Sequence, residues 1–122
     1  MLARIAVASI VVLCALGQRS DLRAAQSPAV MFYGLATESC GTWTAELPGR
    51  TSQLAQAQTW WVLGFVSGAS ATLATERNIA VAASDSDGIK GWITKYCADH
   101  PLDTIPTATS KLVAELRARA KP

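Results

Sequence analysis

Few residues in this chain have side chains that could carry chemistry. They are three cysteines (Cys14, Cys40 and Cys97), one histidine (His100) and a serine set among glycines, Ser67. A lone histidine cannot assemble a usual metal site, which needs three or four nitrogen, sulfur or carboxylate ligands. Ser67 lies in Gly64-Phe65-Val66-Ser67-Gly68, which is not the G-x-S-x-G elbow of a serine hydrolase, and no strand pattern precedes it. Asp85-Ser86-Asp87-Gly88 has the opening of a calcium loop but lacks the closing glutamate, so it reads as a helix cap. No glycine-rich phosphate loop is present. The expectation is a protein with no catalytic residues, no metal, no cofactor and no small-molecule substrate.

The cysteines say more about compartment than about reactivity. Met1-Leu-Ala-Arg4 is a short basic start, and Ile5 to Leu16 is apolar apart from Ser9. Such a run is too short to span a bilayer and suits the apolar region of a secretory signal. Leu13 before Cys14 spoils a lipoprotein box, and cleavage fits either at Ala15-Leu16-Gly17 or after Ala25. The alternative is an uncleaved anchor. Residues 1–25 are therefore read as signal peptide and leader, 26–122 as one domain, and the location as periplasmic. Removing the leader removes Cys14. In an oxidising compartment the remaining even pair reads as a disulfide between Cys40 and Cys97, with two buried free thiols as the alternative. The loop it closes would be worth about 4 kcal/mol.

Four helical segments must position that pair. From Val30 the residues Phe32, Leu35 or Ala36, Ser39 or Cys40, Trp43 and Leu47 recur every three to four positions, and Pro48-Gly49 ends the run. A second helix is expected from Thr51 or Ser52 to about Thr75, with the stripe Leu54, Ala57, Trp61, Phe65 and Gly68. It has no charged residue, but its glutamines make it a poor membrane span. Gly64 and Gly68 share one of its faces and would let a neighbouring helix come close. Trp60 and Trp61 point about 100° apart, so one of them is expected to face a partner protein. After a loop over 76–86, a third helix carries Ile89, Trp92, Ile93, Tyr96 and Cys97 on one stripe, with Asp85, Ser86 and Asp87 as candidate caps. A fourth starts at Asp103 or Thr104, tolerates Pro106 in its first turn, and presents Ile105, Ala108 or Thr109, Leu112, Val113 and Leu116. The fold class is all-α: a small four-helix orthogonal bundle with one disulfide.

Past Ala25 the charges balance at eight cations and eight carboxylates, so no basic face argues for nucleic acid. Arg117, Arg119 and Lys121 cluster where a helix C-terminus favours cations.

Cys40-Gly-Thr-Trp43, then Trp61-Val-Leu-Gly64-Phe-Val-Ser-Gly68, then Trp92-Ile-Thr-Lys-Tyr96-Cys97 with Ala98-Asp-His-Pro101-Leu102 form a pattern over Tyr33 to Arg117. The pattern resembles the HdeA/HdeB-like family of small periplasmic acid-stress chaperones. It is more weakly similar to Tai-type immunity proteins, which neutralise cell-wall amidase effectors and carry a cysteine near the chain end that is absent here. The resemblance implies a Cys40–Cys97 bridge and a holdase that exposes apolar surface on acidification. It also implies unfolded or partner proteins as ligands, with a homodimer as a further arrangement. Trp60, Trp61, Phe65 and Trp92 are the expected client-binding residues. Protonating the carboxylates near pH 2 to 3 would leave a charge of about +8 to +9, which favours opening. The alternatives are an immunity or inhibitor protein and an exported helical domain of another role.

Overall fold

The computed structural model describes residues 29–34, 38–47 and 49–120. The leader over 1–25 with Cys14, and also Leu35, Ala36, Pro48 and Lys121, lie outside the described residues. Packing divides the chain after Met31, and Phe32–Pro122 forms one unit. Within that unit are four helices, α1 (Cys40–Ala45), α2 (Gln53–Arg77), α3 (Ser86–Asp99) and α4 (Ile105–Arg119), and no strand among the described residues. None of these helices is long and apolar enough to cross a membrane. The fold is the all-α, four-helix arrangement expected, with Cys40 bonded to Cys97.

Side-chain caps set each start. Ser39, Ser52, Asp85 and Thr104 each accept a hydrogen bond from the backbone N–H three residues on, satisfying one of the free donors of a helix N-terminus. Asn78, in the left-handed region at φ 50°, ends α2, and its N–H and that of Ile79 both donate to the Leu73 carbonyl. At Gly88, in the first turn of α3, a Cβ would stand 2.7 Å from the Ser84 hydroxyl and 3.1 Å from the capping Asp85 carboxylate, so a side chain there would displace one of them.

Two expectations need correction. The first helix does not begin near Val30. Gly34 turns the chain at φ 78°, and Ser39 forms an isolated antiparallel bridge with Thr104. The Ile105 N–H donates to the Glu38 carbonyl and the Cys40 N–H to that of Asp103, so 38–39 are extended and only six residues remain helical. Phe32 is drawn instead to the aromatic rings of α2. The second correction concerns the buried face of α2. The core takes Ala55, Gln58, Val62 and Val66, each one position beyond the expected Leu54, Ala57, Trp61 and Phe65, a rotation of about 100°.

The core joins Cys40 and Trp43 of α1, Val62 and Val66 of α2, Ile89, Ile93 and Cys97 of α3, and Ile105, Ala108, Leu112 and Leu116 of α4. Helix α3 packs on both α1 and α4, and α4 packs in turn on α2. The loop after α2 is tied in where the Ala82 N–H donates to the Leu116 carbonyl.

Candidate protein-binding surfaces

Trp43 is the largest fully buried side chain, and its ring is fixed on all sides. Its indole N–H donates to the Thr94 hydroxyl at 3.0 Å, and the Arg50 guanidinium lies 3.5 Å from its ring centroid. Arg50 is held by donating to the carbonyls of Trp43 and Ala55 and to the Gln58 side chain, which in turn donates to Thr42. This chain of contacts explains a buried glutamine on an otherwise apolar stripe: its amide oxygen is needed by a desolvated guanidinium. Burial lowers the Arg50 pKa from its ordinary value, and the nearby Glu46 carboxylate opposes that shift. Arg50 also stands at φ 45°, directly after Gly49 at φ 88°. A non-glycine residue there costs of order 1 kcal/mol, which its hydrogen bonds offset. Glu46 itself accepts from the Ser52 hydroxyl.

An open groove of about 660 Å³ lies between α2, α3 and the turn that joins α1 to α2. Gln56, Thr59 and Trp60 form one wall, and Lys90, Gly91, Thr94, Lys95 and Ala98 form the other. Leu47, Gly49 and Arg50 close one side. Trp60 is 71% exposed, whereas the adjacent Trp61 is half-buried. The divergence expected of the tandem pair is therefore present.

The second surface is an aromatic cluster on α2. Trp61 and Phe65 stack at 5.4 Å, and Phe32 contacts both rings at 6.3 and 5.8 Å. The Trp61 indole N–H donates to the Tyr33 carbonyl at 2.9 Å. Phe32 to Gly34 thus lies as a strap across these two residues. Trp92 belongs to neither surface. It is half-buried beside the core and stacks on Tyr96 at 5.4 Å, which stacks on His100 at 4.3 Å. The Tyr96 hydroxyl donates to Asp103 at 2.6 Å, and that bond, with burial, raises the Tyr96 pKa. Of the four expected client-binding residues, only Trp61 and Phe65 come together. At Gly64 and Gly68 no described atom lies within 4 Å of where a Cβ would stand, so none of the described helices approaches them.

Arg50 and Gln58, central to this region, carry no local sequence signal beyond the Pro48-Gly49 turn ahead of Arg50. Among the described residues, no three His, Cys, Asp or Glu side chains gather as a metal site would require. No protein-family model, no curated protein and no solved structure matches the chain.

Proposed function

We propose that the chain is an exported, non-catalytic protein-binding domain that works as an acid-opened holdase in the periplasm. The surface it releases is the Trp61–Phe65 cluster. The supporting observation is that Phe32 to Gly34 lies across this cluster as a strap, held among the described residues by ring contacts and the Trp61–Tyr33 hydrogen bond, outside a frame closed by Cys40–Cys97. Ring contacts of this kind are worth about 1 kcal/mol each, so the strap can lift without unfolding the frame. Acid supplies the force. The Lys90 ammonium holds the Asp87 pKa below its ordinary value. A depressed carboxylate lends stability above the ordinary carboxylate range and loses it as pH falls through the lowered value. Exposed pairs such as this contribute little singly, and self-repulsion of the cationic chain does the rest.

The experiment is acidification of the purified, oxidised protein to pH 2–3 with an apolar dye and an acid-denatured lactate dehydrogenase as client. Dye binding and a client kept soluble are expected. A chain that keeps its neutral-pH fold, binds no dye and protects no client at that pH would refute the holdase. One observation favours a second reading, that of an immunity or inhibitor protein for a cell-wall amidase. Trp60 stands exposed on a groove already formed in the folded chain. That reading predicts a one-to-one complex with a single folded enzyme at neutral pH.

A further inference from the structure

We infer that the groove between α2 and α3 is a preformed docking site for an extended protein segment in which apolar side chains alternate with carboxylates. The inference rests on the protein-binding reading but not on acid opening. Three cations line the groove (Arg50, Lys90 and Lys95), and no carboxylate does so among the described residues. The nearby acids sit outside it. Asp87 pairs with Lys90 at 2.6 Å with its side chain 88% exposed, Asp99 pairs with Lys95 at 3.2 Å, and Glu46 is engaged by Ser52.

The two lysine pairs are contacts within one helix in water, which hold little energy. An ammonium has three donors, so each lysine can take an incoming carboxylate while keeping or exchanging its present acid. Arg50 is not a direct ligand, because its guanidinium already serves Trp43, Ala55 and Gln58. It contributes fixed positive charge at one end of the groove.

The lysine spacing admits an extended occupant. Lys90 and Lys95 are separated by about 7.5 Å of rise along α3 and by about 140° around it, and both long side chains line the groove. Alternate side chains of an extended chain are spaced by about 6.8 Å on one side. Two acids at i and i+2 can therefore reach the two lysines, while the residues between them face the opposite wall, where Trp60 offers its ring. Gly91 and Ala98 keep the α3 wall low, and no described atom lies within 4 Å of a Cβ built at Gly91. A tryptophan exposed beside such a cleft has the character of a binding hot spot.

The test uses fluorescein-labelled peptides of about nine residues alternating leucine with glutamate, glutamine or lysine, titrated by anisotropy at pH 7 and low salt. The chain's charges past Ala25 balance, so a preference among these peptides reports the groove and not the net charge. The glutamate peptide is expected to bind about tenfold more tightly than the glutamine peptide, and the lysine peptide more weakly than both. Trp60→Ala should weaken the glutamate peptide about tenfold. Lys90→Glu with Lys95→Glu should reverse the charge preference, and Lys95→Glu alone should reduce it, with circular dichroism confirming that each variant is folded. Equal binding of the glutamate and glutamine peptides, or an affinity indifferent to Trp60→Ala, would overturn the inference. So would glutamate-peptide binding that appears only after acidification. Failure of client protection at pH 2–3 would leave it standing, because these titrations read the folded chain at neutral pH.

Discussion

Breaking the Cys40–Cys97 bond should remove about 4 kcal/mol of stability. The two residues are 57 apart in sequence, and the loop-closure entropy of such a span sets that magnitude. A domain of this size holds only about 5 to 10 kcal/mol in total, so the reduced chain would keep a small fraction of it. With a urea slope of about 1 kcal/mol/M, the midpoint should fall by about 3 to 4 M on adding reductant or on replacing Cys97 with alanine. The slope carries separate information. Helix α1 is too short to persist unaided, but backbone hydrogen bonds to Pro101 and Asp103 and the Trp43–Thr94 bond also hold it. If these suffice, Trp43 stays buried and the slope is unchanged. If α1 detaches first, the slope falls and Trp43 emission shifts to the red before the main transition. A midpoint shift below about 0.5 M would refute the reasoning, because the tie would then not be limiting the unfolded chain.

Arg50→Met should cost about 2 to 4 kcal/mol in urea unfolding, since it removes the guanidinium above Trp43 and leaves two carbonyls and Gln58 unpaired. Arg50→Gly should be less damaging than Arg50→Ala by about 1 kcal/mol, because glycine accepts the left-handed backbone there. Tyr96→Phe should lower stability by about 1 kcal/mol at pH 7. The neutral phenol is the form its bond to Asp103 favours, so the raised pKa contributes stability below its ordinary value and loses it as pH rises through the raised one. Melting temperatures across the alkaline range should therefore fall more steeply in the parent than in the variant. Gly64→Ala and Gly68→Ala meet open space and should each raise the midpoint by the equivalent of about 1 kcal/mol; a loss at either would mean that something covers that face.

The starts of α2, α3 and α4 were legible from their capping residues, and the buried faces of α3 and α4 from their spacing. Asp85 and Thr104 begin α3 and α4, and Ile89, Ile93, Cys97, Ile105, Leu112 and Leu116 are buried as their spacing implies. The disulfide was legible because reading the segment with Cys14 as a leader leaves two of the three cysteines and one pairing. For α1 and α2 the local signal was ambiguous for physical reasons. The three-to-four spacing from Phe32 to Leu47 does not by itself separate one helix from a strap, a bridge and a single short helix. Only the pairing of Ser39 with Thr104, far along the chain, decides between them. In α2, two adjacent faces are both uncharged, and the face carrying Gln58 looks the more polar until Arg50 is placed beside it. The groove was half legible. The tandem Trp60-Trp61 marked one ring as facing a partner without saying which, and Lys90 and Lys95 read as ordinary exposed positions until the opposing wall was in view.

The span between the two bonded sulfurs also governs how the chain can mature. Synthesis delivers Cys40 long before Cys97, and no other cysteine lies between them. During that interval the first thiol has no wrong mate downstream, so in a chain freed of the leader that carries Cys14 an early oxidation error joins two molecules and does not scramble one. Because Glu38 and Ser39 also wait for Thr104 and Ile105, the earliest residues of the helical unit are among the last to find their places. Oxidant supplied only after the whole chain is free should give monomers, and oxidant present throughout release should give sulfur-linked pairs.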